Sequence, residues 1–205
     1  TNYRNTTLTL TGTHNWNNFD NLVVGVQRQT EKGGMTSVGD FDFDGSADNL
    51  QYNLERRTDS VFAEGRWRVV PELSLQIGVR YDSIQDYGSS TTPHIGAVWN
   101  LPNGSTTLKA NYSQGFKPPS FFALGFPIGG NPDLKPEEST NYELTVVQAF
   151  DDQASSLEVS VFRTEYQNLV DFDTNTFTNI NRGRVTISGI EPTLKLRINP
   201  ALRAQ

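Results

Sequence analysis

An acidic run near the start of the chain has the residue types and the spacing of a calcium-binding loop. Asp40, Asp42 and Asp44 alternate with phenylalanines and are followed by Gly45. Calcium loops begin in this way because carboxylate oxygens at alternate positions converge on the ion and a glycine allows the turn. The end of the motif differs, since Gln51 stands where a bidentate glutamate is required. The run predicts a solvated acidic loop with calcium as the alternative, and no other cofactor is predicted.

Histidine and cysteine offer little further metal chemistry. The chain has 2 histidines, His14 and His94, and 0 cysteines, and neither histidine has a carboxylate pair or a second histidine at ligand spacing. His94 shares strand parity with Gly96 and Asn100, which places it on the polar side of its strand. We predict a solvated residue on this polar side, which would face the interior if the strands close into a barrel, with a ligand contact as the alternative.

An apolar cluster interrupts an otherwise polar stretch in the second half of the chain. Phe121, Phe122 and Phe126 lie there beside Leu124 and Ile128. Exposed apolar clusters are unfavourable unless something covers them. The cluster either packs within its own loop or contacts a bound molecule, and the three phenylalanines are our candidate ligand-binding residues.

No catalytic nucleophile is predicted. The motif G-x-S-x-G does not occur, and neither Ser120 nor Ser139 has a histidine at a recognisable spacing. A hydrolytic barrel requires an exposed nucleophile or an acid dyad held by a partner histidine. We therefore predict that the protein is not an enzyme.

Composition excludes two further classes of protein. The 205 residues are 35% hydrophobic, and no run approaches the ~18–20 apolar residues of a transmembrane helix. Lys and Arg number 17 against 23 Asp and Glu, a net charge of -6, and no basic stripe is present to neutralise phosphates. We expect no nucleic-acid partner, and any membrane span must be built from strands.

Apolar and polar residues alternate with a period of two from one end of the chain to the other. This pattern predicts an all-β fold with about nine strands. In the last strand the apolar positions change parity around 188–190, which predicts a β-bulge. The strands lie near residues 5–14, 18–29, 58–69, 72–83, 92–100, 105–115, 139–150, 155–168 and 178–198.

Short and long connections alternate between these strands, which is typical of an antiparallel up-and-down meander with tight turns at one end. About nine strands do not complete an even-numbered barrel, so we expect further strands beyond this chain. The short turns lie near 15–17, 70–72, 102–104 and 151–153, and the long loops near 30–57, 83–91, 116–138 and 169–177.

One face of the predicted sheet is apolar and the other is polar. In the fourth strand Ile77 and Val79 alternate with Gln76 and Arg80. A soluble β-sheet binding module with an apolar core would show the same alternation. Aromatic residues favour a membrane barrel, because rings at both ends of the apolar face match the two girdles of a lipid-facing band. These residues are Trp67 and Trp99 beside short turns, and Tyr81, Tyr112 and Tyr142 beside long loops.

Four segments in order resemble the barrel signature of TonB-dependent outer-membrane receptors, and within that family the resemblance is closest to cobalamin receptors. They are Asn111–Ser120, Gly130–Ser139, Phe162–Val170 and Asn179–Glu191.

The resemblance implies that residues 1–205 are a partial transmembrane β-barrel domain. The complete barrel has about 22 strands in this family. The N-terminal plug and the C-terminal strands would lie outside the chain. It implies a receptor in the bacterial outer membrane, in contact with lipid, whose outward loops close over a scarce nutrient such as cobalamin or a ferric siderophore. The TonB energy-coupling protein would act through the plug. The alternatives are a passive porin, another outer-membrane barrel, or a soluble β-sheet binding module.

Overall fold

A single antiparallel sheet accounts for most of the chain in the computed structural model, which describes residues 1–39, 47–150, 154–199 and 202–204. Each strand pairs with the next one along the chain, in the order β1 to β10. The strands are β1 Asn2–Asn15, β2 Asn21–Gly39, β3 Asp48–Val70, β4 Leu73–Ile84, β5 Gly88–Asn100, β6 Thr106–Lys117, β7 Glu137–Phe150, β8 Ser155–Asp173, β9 Thr178–Asn199 and β10 Leu202–Ala204.

The predicted all-β, up-and-down meander is therefore confirmed. One short helix, α1, occupies Phe121–Gly125 in the connection between β6 and β7. Sequence periodicity did not reveal it, because five residues are too few to show a 3.6-residue repeat. Within the described ranges, no helix is both long and apolar enough to cross a membrane.

The largest difference from the predicted connections lies at 30–57. Here β2 and β3 continue as a paired arm as far as Gly39 opposite Asp48. Apolar alternation is weak on the β2 side of this arm, which contains Gly33 and Gly34 and resembles a loop although its backbone remains paired. On the β3 side Leu50, Tyr52 and Leu54 do alternate with polar residues.

Two other predicted long loops are tight turns. The connection from β4 to β5 contains only Gln85–Tyr87, and Asp86 adopts a φ of 69° while Gly88 adopts a φ of 78°. Left-handed conformations of this kind reverse a strand within a few residues. The turn between β8 and β9 covers only 174–177, so among the described connections the long loop is the one at 118–136.

The predicted bulge in β9 is absent. Pairing between β8 and β9 runs without a slip from Ser156 opposite Lys195 to Gln167 opposite Arg184. Apolar positions change parity because Ile187 pairs with Thr164 on the polar face of the sheet, whereas Ile190 is on the apolar face.

The register confirms the two predicted faces. On the outer face, Ile77 lies between Ile95 and Gly65 in the neighbouring strands. Tyr112 and Tyr142 are directly opposite each other on the same face, with ring centroids 5.3 Å apart. The polar face, here called the interior face, carries Gln76 and Arg80.

A charge at the centre of the outer face tests this assignment. Ile77→Arg is expected to lower the free energy of unfolding by about 2–4 kcal/mol, the cost of arginine near the midplane of a lipid-facing barrel surface. The control is Gln76→Arg, on the interior face, where Gln76 Nε2 donates to Glu64 Oε1 at 2.9 Å. An arginine there keeps an acidic partner. Urea titration of the full-length protein refolded in liposomes measures both, and equal losses would contradict the assigned faces.

Candidate ligand-binding site

The interior face of β2, β3 and β4 carries a connected polar cluster. Ser60 Oγ donates to Asp82 Oδ1 at 2.5 Å, and Arg80 Nε donates to the same carboxylate oxygen at 2.9 Å. Arg80 Nη2 donates to Gln27 Oε1 at 2.6 Å and to Ser60 Oγ at 2.7 Å. Because each charge has a partner, the cluster forms a firm polar wall with little net charge.

The connection at 118–136, here called the β6–β7 loop, reaches across the interior face to the first three strands. Its first anchor is Arg56 on β3, which is buried at 8% exposure. Arg56 Nη1 donates to the carbonyl oxygen of Pro119 at 2.9 Å, and its guanidinium lies 4.9 Å from the centroid of the Phe121 ring. Arg56 Nε donates to Glu31 Oε2 at 2.9 Å. Burial and a charged partner make such hydrogen bonds strong.

The Phe121 ring packs directly against Gly33, where any residue with a side chain would clash with it. A Cβ atom added to Gly33 would lie 2.2 Å from Phe121 Cδ2, far closer than van der Waals contact. Tyr3 flanks the ring with centroids 6.4 Å apart, and its hydroxyl donates to Glu31 Oε1 at 2.7 Å. The phenylalanine is thus fixed between two strands and an arginine.

The residues between β6 and α1 explain how the β6–β7 loop begins. Pro118 and Pro119 fix φ at the end of β6 and disfavour helix there. Ser120 then caps α1, because its Oγ accepts the Ala123 amide at 3.1 Å. A single helical turn therefore begins immediately beyond the prolines.

The second anchor of the loop lies on β9. Asn131 Nδ2 donates to the Asn179 carbonyl oxygen at 2.9 Å, and Asn179 Nδ2 donates to the Gly129 carbonyl oxygen at 2.7 Å. Asn181 bonds Lys135 reciprocally, accepting from its amide at 2.7 Å and donating to its carbonyl oxygen at 2.9 Å. The loop is thus held on both sides of the strands from which it emerges.

The loop rejoins β7 through Glu137. Its carboxylate accepts from Lys117 Nζ and from the Val170 amide, each at 2.9 Å. All four segments that carry the family resemblance therefore meet in space and fix one loop.

A cavity of about 730 Å³ opens between this loop and the interior face. Its charges compensate one another, since Glu31 pairs with Arg56, Asp82 with Arg80, and Lys117 with Glu137 at the end of the loop. Aromatic rings contribute to its apolar lining, together with Ile84 and Pro118. Its lining includes Tyr3, Gln29, Glu31, Arg56, Thr58, Arg80, Asp82, Lys117, Phe121 and Phe122.

Two of the predicted ligand-binding phenylalanines line this cavity and the third supports one of them. Phe121 is buried, whereas Phe122 is 50% exposed. Phe126 stacks on Phe122 with ring centroids 4.7 Å apart and planes 19° from parallel. Their role in binding stays a prediction, with Phe122 as the accessible member.

His94 lies elsewhere on the interior face. Its Nε2 is 3.2 Å from Glu64 Oε2, and its ring covers Gly78, where an added Cβ would lie 2.1 Å from His94 Cε1. It faces the interior as predicted but does not line the cavity. A ligand contact at His94 stays a prediction.

The acidic run Asp40, Asp42 and Asp44 lies outside the described residues, so the calcium hypothesis stays a prediction. In the part of the chain that the structure describes, no group of three or more His, Cys, Asp or Glu side chains is arranged to hold a metal ion.

Sequence reasoning missed Tyr3, Glu31 and Arg56. These residues are far from the β6–β7 loop in sequence and belong to no motif. The pair Gly33-Gly34 was the available signal, because glycine within a strand often marks a close approach of another segment.

An antiparallel meander with an apolar, aromatic-bordered outer face and a polar interior is the wall of an outer-membrane-type β-barrel. Residues 1–203 match the family model described as TonB dependent receptor-like, beta-barrel. The chain belongs to this family, which confirms the resemblance seen in its sequence.

Curated relatives include an outer-membrane protein and a transporter. The chain is 37% identical over 95 residues to the iron-regulated outer membrane virulence protein of Vibrio cholerae serotype O1, a match covering 42% of this chain and 14% of that protein. It is 35% identical over 92 residues to the vitamin B12 transporter BtuB of Photobacterium profundum, covering 45% of this chain and 15% of that protein. The matches therefore span about a seventh of each relative.

Solved structures share the fold. A variant of the ferric enterobactin receptor of Pseudomonas aeruginosa superposes with a TM-score of 0.80 at 20% identity, covering 98% of this chain and 34% of that one. The siderophore receptor PirA of Acinetobacter baumannii gives a TM-score of 0.69 at 22% identity, covering 96% and 35%. Family and relatives place the chain in the bacterial outer membrane, as predicted.

Removing the first anchor tests how the loop is held. In Arg56→Ala, the Leu124 and Phe126 amides, which donate to the carbonyl oxygens of Ser120 and Phe122 at the ends of α1, should exchange their hydrogens about ten- to a hundredfold faster. The reason is the loss of a charged hydrogen bond worth about 1.5–3 kcal/mol. Hydrogen exchange with mass spectrometry measures the change. Arg57→Ala, on the outer face, is the control, and unchanged exchange in Arg56→Ala would contradict the anchor.

Proposed function

We propose that the chain forms part of the barrel of a receptor that captures a scarce, bulky nutrient at the cell surface and imports it actively. The observation that carries this proposal is the cavity of about 730 Å³ beneath the anchored β6–β7 loop. Ligand sites are typically concave, largely apolar, and furnished with a few fixed polar groups. Phe121 and Phe122 supply apolar surface, and Arg56 and Arg80 supply positioned donors.

The charged side chains that line the cavity are each paired with an opposite charge, and this pairing indicates which kind of cargo the cavity fits. Arg56 and Arg80 are each engaged by a carboxylate, so neither is available to neutralise a strongly anionic ligand. A nutrient of low net charge with many hydrogen-bonding groups fits better, and this supports cobalamin. The relative of Photobacterium profundum named as a vitamin B12 transporter supports the same choice.

A ferric siderophore is the second candidate cargo. It is favoured by the similarity to a Vibrio cholerae protein that is named as iron-regulated. The two relatives match to nearly equal extents, so identity does not separate the candidates.

Further parts of the receptor belong to the same proposal. The chain covers 34% of the ferric enterobactin receptor to which it is similar. We place an N-terminal plug and the remaining strands outside residues 1–205, with lipid against the outer face. The TonB energy-coupling protein acts through the plug and supplies the energy for transport.

Uptake assays separate the two cargoes. A strain that lacks the gene is expected to lose accumulation of labelled cobalamin and to retain that of a ferric siderophore. Reintroducing the full-length gene should restore cobalamin uptake. The opposite pattern would establish the siderophore as cargo. Uptake that continues when the energising partner is deleted would overturn active transport and favour a passive porin.

Phe122→Ala tests the cavity as the cargo site. We expect the Kd for cargo to rise about five- to tenfold, because covering a half-exposed phenylalanine contributes roughly 1 kcal/mol or slightly more. Phe177→Ala is the matched control, since Phe177 is 69% exposed in the turn between β8 and β9 and does not line the cavity. Binding to the purified full-length receptor is measured by calorimetry. Equal effects of the two substitutions would exclude the cavity.

A further inference from the structure

The strands β5 and β6 are paired along only part of their length. Their ladder ends at His94 opposite Ser113, although β5 continues outward to Gly88 and β6 to Lys117. In this outer stretch β5 stays paired with β4, and β6 stays paired with β7. The sheet therefore contains a gap between two strands whose other neighbours are both present, on the side of the β6–β7 loop.

Pro93 explains where the pairing stops. Backbone groups of alternate residues along β5 point toward β6, and Leu101 belongs to this set because its amide donates to the Thr106 carbonyl oxygen at 2.8 Å. Pro93 has the same parity and directly precedes His94, so its position should donate to β6. Proline has no N–H group to donate. The ladder thus ends at a residue that cannot extend it, and prolines in sheets are confined to edges and bulges for the same reason.

Polar groups of β5 face this gap without partners in the described part of the chain. Ser89 and Thr91 have the parity of Pro93, so their N–H and carbonyl groups point toward β6, yet no backbone hydrogen bond joins them to it. The four hydroxyl groups of residues 89–92 also make no hydrogen bond to another described residue. Backbone polar groups that lack a protein partner bind water or another molecule.

A cavity of about 290 Å³ occupies the gap and extends over the outer face of the next two strands. Its lining includes no Lys or Arg, and the nearby Arg163 is held by Glu165 at 2.6 Å. Hydroxyl, amide and carboxylate groups supply donors and acceptors without positive charge, so the cavity does not complement a phosphate. On the outer face the lining residues are Ser89, Thr91, Gln114, Glu138, Thr140, Glu165 and Gln167.

Tyrosines mark the level of the gap in the wall. Thr91 lies directly opposite Tyr81, and Gln114 Nε2 donates to the Tyr112 hydroxyl at 2.7 Å. These rings border the apolar part of the outer face, and tyrosine prefers the boundary between hydrocarbon and headgroups. Hydrocarbon does not tolerate unpaired backbone groups, so the gap lies at the level of the headgroups. This placement rests on the proposed contact of the outer face with lipid.

An added peptide strand would not fit along the gap. At His94 and Ser113 the two strands are still paired, about 4.8 Å apart, whereas a strand between them needs twice that spacing. A compact ligand with donors and acceptors on all sides fits a space that opens outward from this point. Sugar rings have this property, since every hydroxyl group both donates and accepts, and their C–H faces pack against tyrosine rings.

We propose that the gap between β5 and β6 is a binding site for an uncharged saccharide, carried as the headgroup of a glycolipid. Thr91 and Gln114 bind the sugar from the two strands, and Glu138 accepts hydrogen bonds from its hydroxyl groups. The acyl chains lie along the apolar part of the outer face. The cargo cavity is on the interior face, so the two sites are tested separately.

Native mass spectrometry of the full-length receptor, purified in a detergent without sugar, tests the proposal. The probes are digalactosyldiacylglycerol and phosphatidylglycerol with identical acyl chains. We expect the glycolipid to bind about tenfold more tightly or better, because each net hydrogen bond changes an equilibrium about three- to tenfold. Thr91→Val removes one hydroxyl group at nearly constant volume. It should raise the Kd for the glycolipid about three- to tenfold and leave that for phosphatidylglycerol unchanged.

The matched control is Thr30→Val. Thr30 also lies on the outer face, but β2 is paired on both sides there, with Thr6 and Arg57 opposite. The Kd for the glycolipid should stay within about twofold of the unmodified receptor. The heat-dependent gel mobility of folded barrels shows that each variant is folded.

Pro93→Ala tests the gap itself. The new N–H group faces Gln114 and should extend the ladder by a hydrogen-bonded pair, so we expect the Gln114 amide to exchange its hydrogen more slowly. Closing the gap removes several contacts with the sugar, and the Kd for the glycolipid should rise more than about tenfold. Hydrogen exchange and native mass spectrometry measure the two effects on the same variant.

Three results would overturn the proposal. The first is an equal Kd for the two lipids, and the second is an equal effect of Thr91→Val and Thr30→Val. The third is slower exchange at Gln114 in Pro93→Ala with glycolipid binding unchanged. Displacement of the glycolipid by free galactobiose at the same concentration would support a saccharide site and identify a free sugar as its ligand. None of these results depends on cargo uptake, so the proposed function stands or fails separately.

Discussion

Backbone hydrogen bonding is the constraint on which the rest of this structure depends. Hydrocarbon offers no partner to an amide or a carbonyl group, so a barrel wall must pair every strand with its neighbours. β3 and β4 satisfy this requirement because they are paired along their length, and their register shifts only between Arg68 and Val70, beside a turn. Once pairing is continuous, alternation assigns each side chain to one face. Ile77 faces outward and Arg80 inward for this reason alone.

Some polar side chains on the interior face hold the β6–β7 loop in place and do not simply contact solvent. Arg56 carries the same charge as Arg57, its neighbour in sequence, yet Arg56 is buried against Pro119 and Phe121 whereas Arg57 is exposed. The difference is strand parity. Asn181 plays the corresponding part on β9, where it bonds the backbone of Lys135. A loop held at two separated strands gives the cavity a fixed roof, and in the proposed receptor this order would lower the entropic cost of binding cargo.

The sequence predicted the sheet well where one face is apolar, because Leu75, Ile77 and Val79 repeat the strand period. It failed for the arm that ends at Gly39 and Asp48, since the β2 side of the arm contains Gly33 and Gly34 and shows little apolar alternation. Phe122 was found as an apolar residue in a polar loop. Arg56 was not, because its partners come from a distant segment and no spacing rule connects them.

Gly33 and Phe121 form a pair whose sizes are complementary. The ring occupies the space that any side chain at position 33 would need, with 2.2 Å between Phe121 Cδ2 and the position of an added Cβ. A larger residue at one position therefore demands a smaller one at the other, although they are far apart in sequence. We therefore expect the two positions to change together during divergence, and a graft of the β6–β7 loop onto another receptor wall to require glycine at the position of Gly33.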